Sequence, residues 1–231
     1  MITYSIVDGT ESSLKNFLKT LPGVDQVGAE ARAAMLATRS IKAASKNYAI
    51  ELAISMVDLT TLEGADTPGK VRALCSKGLR PDPTDATVPH VGAICVYNDM
   101  VSTARQHLDS IGGSDLPIAA VSTAFPSGRA SMPVKIHDTQ DAIDAGATEI
   151  DMVIDRGAFL SGRFGEVFEE IKIIKELCGD RAHLKVILET GEPLLTTTFE
   201  KPLTLQCWQE RILLKLQQGK LPPLPRLQLF W

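Results

Sequence analysis

Four residues able to hold or move protons stand within or beside short apolar runs of this sequence: Asp58, Cys95, Asp151 and Lys185. Asp151 is the sharpest of them, because it interrupts Glu149-Ile150-Asp151-Met152-Val153-Ile154. A run of that kind reads as a strand buried on both faces. An ionised carboxylate inside it is costly unless it is paired. Lys185, between Leu184 and Val186, raises the same question, since strands covered on both faces seldom hold a lysine. Each residue also has a plain structural reading. Asp151 could bind backbone N–H groups at a strand end, Cys95 could be core between Ile94 and Val96, and Asp58 could cap a helix or turn. Asp155, followed by Arg156-Gly157, reads as a turn residue. Together, an amine and a carboxylate point to carbonyl chemistry in which the two groups move protons.

The elements that must position these residues alternate in type. Strand-like runs occupy Ile54–Leu59, Val91–Tyr97, Ile118–Ser122, Glu149–Ile154 and His183–Leu188. A helix is expected over Ile41–Ala53, and further helices over Pro68–Gly78, Asp99–Ile111, Val134–Ala145 and Gly165–Cys178. The last shows Val167, Phe168, Ile171, Ile174 and Leu177 on one face, with Glu166, Glu169, Glu170 and Lys175 largely opposite and Gly179 as its cap. Strands that alternate with helices predict a parallel α/β sheet, either open or closed as a (β/α)8 barrel. No glycine-rich phosphate fingerprint follows any strand, which counts against an open nucleotide-binding sheet. Reactive residues near the ends of different strands favour the barrel, where they converge on one face.

Composition narrows the partners. Net charge is −4 and only 5% of residues are aromatic, so nucleic acid and anionic membrane are not expected partners. The cysteines Cys75, Cys95, Cys178 and Cys207 are widely spaced, which predicts reduced thiols rather than a zinc site or disulfides. The N-terminus lacks the pattern of a signal peptide, and no apolar run approaches the roughly 18 residues of a membrane span. A cytoplasmic protein is expected.

Five segments carry a specific resemblance. MVDLTTLEGADTPGKVRALC (56–75), GAICVYNDMVSTA (92–104), AVSTAFPSG (120–128), GATEIDMVIDRGAFLSG (146–162) and HLKVILETGE (183–192) resemble the deoxyribose-phosphate aldolase family, in the family's order. The resemblance implies a (β/α)8 TIM barrel and a metal-free, cofactor-free class I aldolase. Such an enzyme reversibly cleaves 2-deoxy-D-ribose 5-phosphate to acetaldehyde and D-glyceraldehyde 3-phosphate. In the family a strand-six lysine forms the Schiff base, a strand-seven lysine lowers its pKa and a strand-four aspartate relays protons. Asp151 matches that aspartate. Lys185 matches a strand-five lysine lining the site, and Asp58, Thr60 and Cys95 match pocket residues of strands one and two. The implied partners are a phosphorylated sugar and aldehydes, with a homo-oligomer in the intact family.

The resemblance covers 41–192 and stops there. Residues 1–40 read as an N-terminal extension, polar and then Ala-rich. Residues 194–231 hold eleven Leu, four Pro and both Trp but no Ala, Val, Ser, Asp, Asn or Met. A one-base slip of reading frame near Pro193–Leu195 accounts for this tail. Back-translating from Cys207 and reading one base earlier gives MLAGADFIKTSTGK, which is family-like. The expected product is a barrel of five native strands plus an altered sixth at Arg211–Leu216, truncated with respect to the family. Lys215 and Lys220 fall opposite the two lysines of FIKTSTGK, so Lys215 is the candidate residual amine. Without a strand-seven lysine or phosphate-cradling loops, the chain is expected to be inactive. An unclosed barrel is expected to aggregate or to bind chaperones. The alternative is a non-catalytic interaction or regulatory fragment.

Overall fold

Alternating side-chain size separates the two faces of the sheet. Ile94, Val96, Ile118, Ala120, Ile150, Met152, Leu184 and Val186 point outward into one large buried cluster beneath the helices. The residues between them, Ala93, Cys95, Ala119 and Val121, form a smaller inner cluster. This two-sided burial is what near-continuous apolar strands require.

The computed structural model describes residues 10–20, 25–187 and 213–215. Its strands are β1 (Asp58–Thr60), β2 (Ala93–Tyr97), β3 (Ile118–Ser122), β4 (Glu149–Val153), β5 (His183–Ile187) and β6 (Leu213–Lys215). All neighbouring pairs are parallel and the order is sequential from β1 to β6. The helices are α1 (Glu11–Thr20), α2 (Gln26–Ala37), α3 (Ala43–Met56), α4 (Pro68–Leu79), α5 (Val101–Ser110), α6 (Met132–Asp144), α7 (Arg156–Leu160) and α8 (Phe164–Cys178). This is an α/β sheet of barrel type, incomplete among the described residues, as the sequence predicted.

Local chemistry sets several boundaries. Thr67 caps α4 by accepting the Lys70 N–H, and Pro68 opens the helix where its missing N–H costs nothing. Asp155 caps α7 by accepting the Ala158 N–H, so the expected turn residue starts a short helix. Gly179 ends α8 at φ 50°, the expected cap.

Three expectations need correction. The strand expected over Ile54–Leu59 is only Asp58–Thr60, because α3 runs on through Met56; Ile54, Ser55 and Met56 continue a helix that is already nucleated. The helix expected over Ile41–Ala53 runs from Ala43 to Met56, and none of its residues is fully buried: Ile54 packs partly against the core, while Tyr48, Ile50, Leu52 and Met56 are exposed. Glu170 is not on the solvent face of α8. It is buried and paired with Lys135 of α6, Nζ to Oε1 at 2.5 Å. The N-terminal segment adds a contact the sequence did not suggest, with α1 lying against α8 and Leu14 buried. The end of the fifth expected strand at Leu188, and the tail apart from Leu213–Lys215, lie outside the described residues.

Candidate active site

β1, β4 and β5 bring their charged residues to one point. Lys185 Nζ lies 2.7 Å from Asp58 Oδ2, 2.7 Å from Glu149 Oε2 and 3.1 Å from Asp151 Oδ1. Strand register explains the last two contacts. Lys185 pairs with Asp151, and Glu149 stands two residues before Asp151, on the same face of β4. Asp151 is fully buried, and Lys185 is 6% exposed. On the other side of Asp151, the Cys95 thiol donates to Oδ2 at 3.4 Å. The plain reading of Cys95 as core holds for its burial, but the thiol also touches the buried carboxylate.

Thr60 lies at the end of β1 and is exposed, and its Oγ1 donates to the Asp58 carbonyl at 3.0 Å. The structure therefore joins Asp58, Asp151, Lys185 and Cys95, and leaves Thr60 one step away on the same strand as Asp58. Glu149 was missed by sequence reasoning. It stands at the first position of its strand, beside Thr148, and was not singled out. Its spacing of two from Asp151 was the available signal.

The electrostatics decide what Lys185 can do. Burial opposes its charge, but the carboxylates of Asp151, Asp58 and Glu149 outweigh that effect and raise its pKa well above the ordinary lysine range. Lys185 is therefore a fixed ammonium. It can neutralise and donate hydrogen bonds, but it cannot be the neutral amine that attacks a carbonyl. An amine nucleophile, if the site uses one, is a different lysine. β6 places Lys215 in register with Ile187, two residues beyond the Lys185–Leu213 pair. Among the described residues no group of three or more His, Cys, Asp and Glu is arranged to hold a metal ion.

Comparison with known proteins gives the family. The profile of the DeoC/LacD family aldolases matches residues 52–198. The chain is 38% identical over 148 residues to the deoxyribose-phosphate aldolase of Bos taurus, covering 61% of this chain and 46% of that one. It is 34% identical over 176 residues to the Homo sapiens enzyme, covering 73% and 55%. The chain thus spans about half the length of the curated relatives it matches. The tetrameric deoxyribose phosphate aldolase of Aeropyrum pernix superposes with a TM-score of 0.52 at 23% identity, over 66% of this chain and 61% of that one, and shows the shared fold. With its sheet, its motifs and a profile match across most of its length, the chain belongs to the DeoC/LacD family of aldolases.

Proposed function

We propose that the chain carries the proton-handling half of a deoxyribose-phosphate aldolase site and does not turn over by itself. The reaction is the reversible cleavage of 2-deoxy-D-ribose 5-phosphate to acetaldehyde and D-glyceraldehyde 3-phosphate through a lysine Schiff base. The observation that carries the reading is the Lys185 ammonium held by three carboxylates, one of them the fully buried Asp151. Asp151 would shuttle the proton between carbinolamine, imine and enamine. Lys185 would hold Asp151 in place and balance its charge, and Asp58, Thr60 and Cys95 would line the pocket.

The same electrostatics argue against Lys215 as a working nucleophile. Three carboxylates around one ammonium leave a formal excess of negative charge, so this cluster offers no spare cation to free a second amine. A neighbouring cation is what frees a neutral amine near pH 7. These 231 residues contain no match to the family's strand-seven lysine or to its phosphate-binding loops. The frame slip near Pro193–Leu195 supplies the reason for that loss.

Borohydride trapping with acetaldehyde, followed by mass spectrometry of the purified chain, tests this reading. No adduct is expected on Lys215 or on any other lysine, whereas a chain with the family frame restored beyond codon 193 should be labelled on the lysine of FIKT. A stable adduct on Lys215 would overturn the inactivity.

A second reading has one observation in its favour. The exposed apolar residues of α3, Tyr48, Ile50, Leu52 and Met56, suit an interaction fragment or a chaperone client. We expect the isolated cytoplasmic chain to self-associate on size exclusion. A monodisperse monomer with a cooperative melt would remove this reading.

A further inference from the structure

The end of β3 turns through a corner that its own residues do not favour. Thr123 and Ala124 both adopt left-handed backbone, at φ 60° and 62°. Neither is glycine, and a β-branched residue in that region is an outlier that its surroundings must hold in place. Thr123 is held from β4: its Oγ1 accepts the Val153 N–H at 2.9 Å and lies 2.8 Å from the Val153 carbonyl oxygen. Ala124 is held from the opposite side, by a residue on the outer helix α6.

That residue is Asp138. Its Oδ2 accepts from the Ala124 N–H and from Ser122 Oγ, each at 3.4 Å. Its Oδ1 and its carbonyl accept from the Asn98 side-chain amide, at 3.1 and 2.8 Å. One half-buried carboxylate therefore ties the ends of β2 and β3 together. The residue after the corner, Phe125, meets Tyr97 edge to face, with ring centroids 6.1 Å apart. Both rings border a cavity of about 610 Å³ that Val121, Ala124 and Asp138 also line. Both also pack on the inner cluster that contains Cys95, whose thiol touches Asp151.

We propose that Asp138 is a positioning residue. By fixing the Thr123–Ala124 corner from outside the barrel, it sets where Phe125 stands in the wall of that cavity, against the inner cluster that contains Cys95. The residues that line the cavity do not include Asp58, Asp151 or Lys185, so the placement of Phe125 stands apart from the aldolase reading.

The test uses the full chain labelled with 4-fluorophenylalanine, with the Phe125 signal assigned by its loss in Phe125→Leu. Asp138→Ala should shift and broaden the Phe125 fluorine line. It should also speed deuterium uptake over residues 121–128 at least tenfold, with β4 and β5 unchanged. Asp138→Asn keeps one acceptor for the Asn98 amide and gives up the one for Ala124, so it should move the same line while leaving the melting temperature near that of the parent. An unmoved fluorine line in both variants would overturn the proposal. So would deuterium uptake that rises equally throughout the chain, because Asp138 would then contribute only bulk stability. A borohydride adduct on Lys215 would count against the proposed function and leave the fluorine result intact.

Discussion

Lys185 of β5 meets Asp58 of β1 at 2.7 Å, although three strands lie between them in the sheet. Strands sit about 4.8 Å apart, so in a flat sheet these two would be roughly 19 Å from one another. A lysine side chain spans only a fraction of that gap. The sheet therefore curls, and the ion pair measures the curl directly. One contact thus links the barrel geometry to the chemistry, because it is the curl that brings the β1 carboxylate to the β4–β5 pair.

Removing the lysine should expose what it balances. Lys185→Met leaves Asp58, Glu149 and Asp151 facing one another, with Asp151 fully buried. Breaking a buried pair from one side costs about 3–5 kcal/mol, which urea denaturation would read as a lower midpoint. Adding Asp151→Asn should recover part of the loss. If Lys185→Met melts like the parent, the cluster contributes nothing to the fold.

The Lys185 charge also sets an alkaline limit. Its pKa is raised on folding, so its contribution is fully present below the ordinary lysine value of 10.5 and is lost only as pH rises through the higher folded value. Stability measured from pH 7 to 10 should therefore show no loss assignable to Lys185, tested against Lys185→Met over the same range.

Glu170 should act in the acid range. Burial raises its pKa above 4.5, with the hydrogen bond and charge of Lys135 opposing. The folded state then holds this proton more tightly than the unfolded chain. Its contribution is greatest below pH 4.5 and falls as pH rises through the folded value. The stability of the parent minus that of Glu170→Gln should decline with pH in this window. A flat difference would mean that the buried pair titrates normally.

Two thiols should resist alkylation. Burial pushes Cys75 and Cys178 up to about 11. At pH 8 only on the order of 0.1% of each is thiolate, the reactive form. Residue-resolved mass spectrometry after iodoacetamide should find both unmodified in the native chain and modified in urea.

Gly128 is the glycine whose replacement should be least tolerated. It sits at φ 70°, and an added Cβ would lie 2.1 Å from the Ile154 carbonyl oxygen. Gly128→Ala should destabilise by about 1–3 kcal/mol from backbone strain alone, with the clash adding to it. A urea midpoint equal to that of the parent would show that the β3 loop can move away from β4.

Sequence by itself determined the parallel alternation of elements and the residues worth watching. A carboxylate or an ammonium inside an apolar run is visible because it breaks a local pattern, and Asp151 and Lys185 do so within their own strands. Asp58 and Cys95 were visible through the strand positions they share. Tertiary structure decided the rest. Glu170 sits where a local pattern predicts solvent, and only its neighbour Lys135 shows that it is paired inside; Glu149 shares a face with Asp151, but its partner Lys185 comes from the next strand. The length of β1 depended on whether α3 would run past Ile54, a competition that periodicity over a few residues does not resolve. Most of all, the sequence offered Lys185 as a residue that moves protons, whereas the fold makes it a fixed cation. Charge state depends on groups brought together across 127 residues of chain, and that distance closes only when the sheet curls.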